Sequence, residues 1–290
     1  MFVLQNEALS VTLSAVGGEL QSVTGRDGTE YLWHGDPAYW PGRAPHLFPF
    51  VGRFESSRYA CNGRQFASDL HGFFRRQPLS LESQSNESVR LGLTAGEPLL
   101  QAYPFPFHSS LTYTLHGCTL QISFRVDNIG SQPMYFSYGG HPGFAVPLTA
   151  GLRFSDYELV FPEVSDPVRI GFTQSGLVSG ENAPFPLQDG RSLPLHHRLF
   201  DQEAVVLKGA PRRVTLRSGL DAHSVTLSCP QMPYMGIWHT PHTDAPFVCL
   251  EPWTSLPGRS GVLERLEDIP DYIHLSPGAA YENTWEIRFD

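Results

Sequence analysis

The sequence has very little lysine. Of its 20 Lys and Arg residues, only Lys208 is a lysine. There is no Gly-Lys-Ser/Thr segment, which excludes a P-loop nucleotide site, and Schiff-base chemistry has a single candidate amine. The 29 acidic residues give a net charge of −9, and no basic run supplies the positive face that a duplex nucleic-acid binder needs. We therefore expect no nucleic-acid partner.

Cysteine is also scarce, and its positions are far apart: Cys61, Cys118, Cys229 and Cys249. No pair has C-x-x-C spacing, which excludes a zinc ribbon and a redox motif of that type. We expect four reduced, mostly buried thiols. The sequence also lacks an apolar run of membrane-spanning length and a signal-peptide pattern at its start. These absences predict a cytoplasmic protein without a membrane partner.

Long segments without glycine or proline are missing as well. The chain has 27 glycines and 25 prolines, and after the first 16 residues the longest uninterrupted run is the segment 195–208. Several long helices are therefore not expected. Helical spacing is limited to the short segment 262–269, VLERLEDI.

Strand signals are frequent instead. Asn62-Gly63 predicts a tight hairpin between two short strands, and a second turn is expected near Gly117. Alternation of apolar and polar residues, the pattern of a half-buried strand, occurs in the segments 89–95, 109–128, 212–218, 223–229 and 280–289. With no linker and no repeat of fixed period, we predict one all-β domain over residues 1–290, built as a large antiparallel β-sandwich.

Common catalytic signatures are absent: there is no G-x-S-x-G, H-E-x-x-H or G-x-G-x-x-G segment. Among the 12 histidines, His239 and His242 have a spacing that metal sites use on helices. Pro241 lies between them and prevents a regular helix, so the shared helical face is lost. We expect no metal site there.

His141 stands in an unusual setting, after two glycines and before Pro142. The glycines allow either a close approach of another segment or a positive φ. The proline fixes its own φ and biases His141 toward an extended conformation. A histidine held this rigidly suits a fixed proton donor. The alternative interpretation is a turn histidine with its ring packed or hydrated.

Glu251 follows the apolar run PFVCL and precedes Pro252 and Trp253. Burial at the end of such a strand can raise the pKa of a carboxyl group, although a glutamate that caps an edge strand has the same pattern. His71, before Gly72 and Phe73, has a similar setting. The aromatic residues that can stack on the C–H face of a sugar, or simply pack in the core, are Trp40, Phe73, Phe144 and Trp253.

Five segments together resemble the aldose 1-epimerase (galactose mutarotase-like) family, in particular its LacX-like branch. They are APHLFPFVGRF (44–54), DLHGFFR (69–75), YPFPFHSSLTYTL (103–115), LQISFRVDNIGSQPMYFSYGGHPGF (120–144) and VCLEPW (248–253). They occur in the order of the family and cover nearly the whole chain. The resemblance implies a β-supersandwich with an open sugar-binding cleft. It also implies interconversion of the α and β anomers of an aldose.

The resemblance also implies roles for individual residues. Glu251 corresponds to the catalytic base and His141 to the catalytic acid. His71 corresponds to a residue that binds near the reacting ring oxygen, and Arg53 to one that holds sugar hydroxyls. Asp201 is the best match to an aspartate that contacts sugar in the family.

Arg75 in HGFFR resembles an arginine of the hexose-6-phosphate epimerase branch, where a phosphate is held. His71 is followed by Gly-Phe rather than Gly-Gly, and His141 lies in Gly-Gly-His-Pro. Both differences from galactose mutarotase leave the sugar open. Three functions therefore compete: an aldose 1-epimerase, a hexose-6-phosphate 1-epimerase, and a sugar-binding β-sandwich that has lost catalysis. The presence of both Glu251 and His141 argues against the third.

The chemistry of ring opening suits these groups, because one proton leaves the C1 hydroxyl and another reaches the ring oxygen. One carboxylate and one imidazole supply both transfers without a metal or another cofactor. We expect Glu251 ionised and His141 protonated, on opposite sides of the sugar, about a ring's width apart and not in contact. The pH–rate profile should be bell-shaped, with Glu251 on the lower limb and His141 on the upper limb.

Overall fold

Strands make up most of the regular structure in the computed structural model, which describes residues 1–290. The first twelve are β1 (Phe2–Gln5), β2 (Leu9–Leu13), β3 (Leu20–Gly25), β4 (His46–Leu47), β5 (Arg58–Cys61), β6 (Arg64–Ala67), β7 (Ser80–Gln84), β8 (Ser88–Thr94), β9 (Phe107–His116), β10 (Thr119–Asn128), β11 (Met134–Phe136) and β12 (Gly139–Gly140). The other twelve are β13 (Gly143–Ala145), β14 (Glu158–Val160), β15 (Val168–Arg169), β16 (Ala183–Pro184), β17 (Ser192–Pro194), β18 (Val205–Lys208), β19 (Arg213–Arg217), β20 (Ser224–Ser228), β21 (Tyr234–Trp238), β22 (Phe247–Trp253), β23 (Ile273–Leu275) and β24 (Ala280–Phe289).

The helices are all short. One α-helix, α1 (Glu97–Ala102), begins with a proline in its first turn. Single 3₁₀ turns occur at Glu55–Ser57, Phe74–Arg76, Phe154–Asp156, His197–Phe200 and Leu266–Asp268. None of these helices is long and apolar enough to cross a membrane.

The helical spacing in 262–269 produces only the 3₁₀ turn at Leu266–Asp268. The expectation of a regular helix in this segment is therefore wrong. Gly261 and Pro270 leave eight residues between them. Within those eight, the buried Glu264 carboxylate accepts two hydrogen bonds from Arg259. One comes from Nε at 2.8 Å and the other from the backbone N–H of Arg259 at 3.0 Å. That pairing holds the segment in an irregular path.

A nine-stranded sheet has the order β17-β14-β19-β20-β24-β10-β9-β8-β7. Its centre is the β9–β10 hairpin, in which Leu111 lies opposite Phe124 and Tyr113 opposite Ile122. These side chains are fully buried, whereas their neighbours in sequence on β10 are only half-buried. The alternation in 109–128 therefore places one apolar face of this sheet toward the core.

The second large sheet has eight strands, in the order β16-β15-β18-β21-β22-β12-β4, with β13 also paired to β22. All seven residues of β22 are buried. Side chains of both sheets share one hydrophobic cluster of 61 buried residues. The two sheets thus pack face to face, and β22 lies in the middle of the second.

The two glycines before His141 lie where other side chains approach the backbone most closely. A Cβ on Gly139 would be 2.8 Å from Cδ1 of Trp253, and a Cβ on Gly140 would be 2.6 Å from Cζ2 of Trp285 on the opposing sheet. Neither glycine has a positive φ. Close approach, the first of the two predicted reasons for this pair, is the one that applies.

The predicted strands are confirmed. Asn62 and Gly63, with φ of 48° and 72°, join β5 to β6, and Gly117 joins β9 to β10. The other alternating segments form β8, β19, β20 and β24. Strands hold 43% of the residues and helices 8%, so the all-β prediction with few short helices is correct.

Candidate active site

A cavity of about 350 Å³ opens over β22 and the segment between β12 and β13. Six of the seven predicted site residues line it: Arg53, His71, Arg75, His141, Glu251 and Trp253. They come from four separate parts of the sequence, and the fold brings them together. A cavity of this size and mixed polarity suits a small polar ligand.

His141 and Glu251 form the centre of this site. Gly139 pairs with Trp253 and Gly143 with Cys249, which places the connecting residue His141 beside Glu251 on the next strand. Nε2 of His141 is 3.2 Å from Oε2 of Glu251, and the two residues are only 8% and 2% exposed. They form a buried, directly contacting pair.

The expected separation of these two groups by a sugar ring is therefore wrong. Facing residues on neighbouring antiparallel strands have Cβ atoms about 4.5–5.5 Å apart. Side chains on the same face at that spacing touch each other. The contact leaves no room for a sugar ring between the two groups, so a ligand in the cavity would meet the pair from one side.

Burial also decides where the proton of the pair resides. Loss of hydration raises the pKa of Glu251 well above its usual value, and it lowers the pKa of His141 to about 3. Both shifts favour a neutral carboxyl group that donates to a neutral imidazole. The predicted form, with an ionised Glu251 and a protonated His141, contains the same number of protons. It differs only in the transfer of one proton from Oε2 to Nε2.

His71 is held against this pair in one tautomer. Its Nδ1 accepts a hydrogen bond from the backbone N–H of Gly52 at 3.0 Å, so the ring proton is on Nε2. Burial lowers the pKa of His71 well below its usual value. The His71 ring meets the His141 ring edge to face, with centroids 5.5 Å apart. His71 can therefore donate a hydrogen bond to a ligand, but it is a poor source of a transferable proton.

Tryptophans form much of the wall. Trp40 stacks on His141, with centroids 4.9 Å apart and planes at 29°, and Trp238 meets the same ring edge-on at 5.7 Å. Trp253 lines the cavity, and its buried Nε1 has no hydrogen-bond partner. Of the four aromatic candidates, Trp40 and Trp253 line the cavity, whereas Phe73 and Phe144 belong to the hydrophobic core.

Two guanidinium groups face the same cavity. Arg53 is exposed and Arg75 is half-buried, and neither forms an ion pair. Nε of Arg75 is buried without a hydrogen-bond partner, and its only other polar contact is a long one, 3.5 Å from Nη2 to the carbonyl oxygen of Leu70. Their hydrogen-bonding capacity is thus largely available to a ligand.

Asp201 is the one predicted site residue that does not line the cavity. It follows the 3₁₀ turn His197–Phe200 as its C-cap, and its carboxylate is 3.3 Å from Nδ1 of His242. Glu203, two residues later, lines the cavity instead and has a φ of 65°. This left-handed residue turns the chain back toward β18 and changes which carboxylate reaches the site. No local signal distinguishes the two acidic residues.

His239 and His242 do not form a common site either. His239 is fully buried, and its Nε2 is 3.1 Å from Nδ1 of His197. His242 is exposed beside Asp201. Sequence reasoning also missed Trp238 and Phe172 in the cavity wall, because nothing in their local sequence marks them.

A further buried histidine supports the site from the core. His46, on β4, lies opposite Gly140 on β12. Its Nδ1 is 2.9 Å from the hydroxyl of Tyr138, and its Nε2 is 2.6 Å from that of Tyr113. Burial lowers the pKa of His46 to about 3. This neutral histidine fastens the strand before His141 to the opposing sheet.

The sheet arrangement and this cavity define a β-sandwich of the galactose mutarotase type, with a histidine–glutamate pair at its centre. Residues 1–288 match the model of the family described as aldose 1-epimerase. The chain belongs to the aldose 1-epimerase family.

Known relatives agree with this assignment over the full length. The chain is 34% identical over 293 aligned residues to the chromosomal protein LacX of Lactococcus lactis subsp. lactis, covering 98% of this chain and 97% of the relative. It is similar to the structure of a galactose mutarotase-like protein from Lactobacillus casei ATCC 334, with a TM-score of 0.94, 30% identity and complete coverage of both chains. A galactose mutarotase related enzyme from Lactobacillus acidophilus gives a TM-score of 0.94 at 29% identity, covering 100% of this chain and 97% of that one.

Proposed function

We propose that the protein is an aldose 1-epimerase that interconverts the α and β anomers of an aldose by general acid–base catalysis, without a metal or other cofactor. The observation that carries the proposal is the buried contact of 3.2 Å between His141 and Glu251 in the wall of a sugar-sized cavity. Membership of the family supports the same reaction.

In the proposed reaction the pair works in its ionised form. Glu251 removes the proton of the C1 hydroxyl, Nε2–H of His141 protonates the ring oxygen, and the C1–ring oxygen bond breaks to give the open aldehyde. Rotation about C1–C2 and reversal of both transfers close the ring on the other face. Each positioned group typically contributes about 10²–10⁴-fold.

The burial of the pair opposes the ionised form that ring opening uses. One proton must first move from Oε2 of Glu251 to Nε2 of His141, against the shifted pKa values of both residues. Ring opening then returns the pair to a neutral carboxyl group and a neutral imidazole, which relieves the two buried charges again.

The other lining residues are proposed to hold the sugar. Nε2–H of His71 donates to an oxygen near the reacting centre, since Nδ1 is already occupied by Gly52. Trp40 and Trp253 offer apolar ring faces. Arg53 and Glu203 offer a donor and an acceptor for hydroxyl groups at the open side of the cavity.

A hexose 6-phosphate is the second candidate substrate. The supporting observation is that Arg53 and Arg75 face the cavity without carboxylate partners, and that Nε of Arg75 is buried and unpaired. Guanidinium groups are well suited to bind phosphate oxygens. The acid–base chemistry at C1 is the same for both substrates.

A polarimetric assay of freshly dissolved α anomers tests the proposal. We expect the protein to accelerate mutarotation of at least one aldose from a panel of free and 6-phosphorylated sugars, measured against the spontaneous rate. If no sugar in the panel is accelerated, the proposal is wrong, and titration of the same sugars then tests the binding-only function.

The two substrates are separated by comparing kcat/KM for a free aldose and its 6-phosphate in the wild type, Arg75→Met and Arg76→Met. A phosphate-binding role for Arg75 predicts that Arg75→Met loses activity mainly on the phosphorylated sugar. Arg76 is the matched control, because it pairs with Asp69 outside the cavity. Equal effects on both sugars would rule out a phosphate contact at Arg75.

A further inference from the structure

A thiol lies directly beside the catalytic pair. Cys249 is two residues before Glu251 on β22 and pairs with Gly143 on β13, so its side chain is on the same face of the sheet as Glu251. One ligand atom from each of His141, Cys249 and Glu251 lies within 4.8 Å of the other two, and all three residues are buried. The mechanism proposed above does not use the thiol.

We propose that Zn²⁺ binds to His141, Cys249 and Glu251 and acts as an inhibitor of the enzyme, not as its cofactor. The inhibitory consequence rests on the proposed function, whereas the binding itself does not.

The geometry comes close to that of a zinc site. Zinc binds imidazole nitrogen at about 2.0–2.1 Å, thiolate sulfur at about 2.3 Å and carboxylate oxygen at about 2.0–2.2 Å, in a tetrahedral arrangement. Such bond lengths place neighbouring ligand atoms roughly 3.3–3.7 Å apart. The nitrogen–oxygen distance is already 3.2 Å, and the widest separation of 4.8 Å or less closes by side-chain rotation of about 1 Å.

The donor set selects the kind of cation. An imidazole, a thiolate and a carboxylate suit zinc and similar thiophilic ions, whereas magnesium and calcium prefer oxygen ligands alone. A dication also neutralises the thiolate and the carboxylate, which removes the cost of burying two like charges. Three protein ligands leave a fourth position, where a water or a sugar hydroxyl would complete the coordination; two of the three, His141 and Glu251, line the cavity.

Inhibition follows from the identity of the ligands. The lone pairs that would hold the metal belong to the carboxylate and the imidazole that move protons at C1 and at the ring oxygen. A metal-bound pair has no free base and no transferable proton. Sugar and metal therefore compete for the same side of the cavity.

Co²⁺ is the direct probe, because a cysteine ligand gives a thiolate-to-cobalt charge-transfer band in the near ultraviolet. The titration uses the full chain with Cys118→Ser, since Cys118 is the exposed cysteine and would bind metal nonspecifically. Cys249→Ser and Cys229→Ser are compared in this background. Cys229 is the matched control, a buried thiol directly after β20 that does not line the cavity.

We expect a saturable band of one Co²⁺ per chain in the parent and in Cys229→Ser, displaced by Zn²⁺. Cys249→Ser should lose the band and should bind Co²⁺ at least roughly 10-fold more weakly. Loss of an outer-shell partner alone typically weakens metal binding by that factor, and Cys249 is a proposed direct ligand. Cys249→Ala gives the same test if the serine variant fails to fold. Absence of a band in the parent, or a band that persists in both Cys249 variants, would overturn the proposal.

The activity arm is separate. Zn²⁺ should inhibit mutarotation by the parent and by Cys229→Ser, and saturating sugar should protect both. Cys249→Ser should keep its activity and resist Zn²⁺. If no sugar is turned over, the proposed function fails while the cobalt spectrum still decides the metal site. Equal inhibition of active Cys249→Ser would place the inhibitory metal elsewhere and refute this assignment.

Discussion

Two histidines in this molecule contact carboxylates at similar distances, yet their pKa values move in opposite directions. His141 lies 3.2 Å from Glu251 in the cavity wall, and burial lowers its pKa to about 3. His223 lies 2.7 Å from Asp27 and 2.9 Å from Asp221 near the surface. Its hydrogen bond to Asp27 raises its pKa above the usual value.

For these two contacts, the environment of the ion pair determines the direction of the pKa shift more than the contact distance does. The His223 side chain is 24% exposed, so its charged form keeps part of its hydration and gains the attraction of two carboxylates. The pair in the cavity has lost nearly all its hydration. The attraction between the two charges at 3.2 Å does not compensate for the free energy of hydration that is lost. The surface cluster of His223, Asp27 and Asp221, which we call the clasp, is charged. The buried pair of His141 and Glu251 shares one proton instead.

The clasp joins three segments. Asp27 follows β3, Asp221 and His223 lie between β19 and β20, and Oγ1 of Thr149 donates to Asp221 at 2.8 Å. The hydroxyl of Tyr157 donates to the other oxygen of Asp221. The N-terminal three-stranded sheet is thereby tied to the connection between β19 and β20 of the nine-stranded sheet.

The largest effect expected is on the buried pair. Glu251→Gln keeps the shape of the side chain and removes the base, so mutarotation should fall by ~10² or more while sugar still binds. His141→Gln should do the same through loss of the acid. Polarimetry gives the rates, and titration with sugar gives the binding.

The double variant tests whether the two residues act as one unit. If they share a single proton, Glu251→Gln with His141→Gln should lose little more than either single variant. Near-normal anomer interconversion by Glu251→Gln would contradict the assignment of the base. Independent, multiplicative losses would contradict the shared proton.

The pH profile is the next test, and the structure reverses its expected limbs. Activity should be lost on the acid side when the pair gains a proton on His141, whose pKa is about 3. It should be lost on the alkaline side when the pair loses the proton that Glu251 holds, since the pKa of that carboxyl is raised. The two limbs are properties of the coupled pair.

The measurement is the enzymatic rate, corrected for spontaneous mutarotation at each pH. A plateau that extends unchanged through pH 4.5 is expected. An acid limb centred near the usual glutamate pKa of about 4.5 would indicate a hydrated carboxylate. The buried pair would then not differ from the clasp in its hydration.

A smaller effect should follow from partial hydration of the buried pair. Trp40 covers one face of His141, so Trp40→Ala should admit water and shift the acid limb upward, toward the usual histidine value of 6.5. Tyr39→Phe is the matched control, because Tyr39 precedes Trp40 and its hydroxyl bonds to Asp244 outside the cavity. An acid limb that does not move in Trp40→Ala would show that the ring does not keep water from His141.

The smallest effect is expected at the clasp. His223→Gln should lower the Tm by about 2 °C, and the difference from wild type should depend on pH. Because the folded pKa of His223 is raised above 6.5, its stabilisation is complete below pH 6.5 and disappears as the pH rises through the raised value. Because the pKa of Asp27 is lowered from 3.8 to about 2, the carboxylate contribution is lost as the pH falls through that interval.

The difference in Tm should therefore be largest between about pH 4 and pH 6.5, and it should shrink at pH 9. Thermal unfolding followed by circular dichroism measures it, with His108→Gln as a control at a second histidine–carboxylate contact, that of His108 with Glu82. A Tm difference that is the same at every pH would mean that His223 acts by packing and not by charge.

Local patterns predict most of the fold. Alternation in 109–128 depends only on which face of a strand is buried, and Asn62-Gly63 depends only on the backbone of its own turn. The segment 262–269 fails because Glu264 is held by Arg259, a tertiary contact that helical spacing does not contain. The α1 helix was missed because Pro98 and Gly96 read as breakers, although proline is well placed in a first turn.

The site is predictable in its membership but not in its geometry. The motifs around His71, His141 and Glu251 name three residues that the fold brings together. The distance between His141 and Glu251 depends on the pairing of β12 and β13 with β22, which no local pattern encodes. The choice of Glu203 over Asp201 depends on a single left-handed residue.

His71 has a consequence of another kind. It is a non-glycine residue with a φ of 61°. A positive φ is unfavourable in free energy for a residue with a side chain, whereas glycine adopts it freely. Its backbone is held by Gly52, whose carbonyl accepts the His71 N–H at 2.6 Å, so the local path does not require the ring. His71→Gly should leave an imidazole-shaped space in an intact fold. Free imidazole added to the solution can then occupy that space. The hydrogen-bond donor that His71 normally provides would thus be supplied by a small molecule from solution.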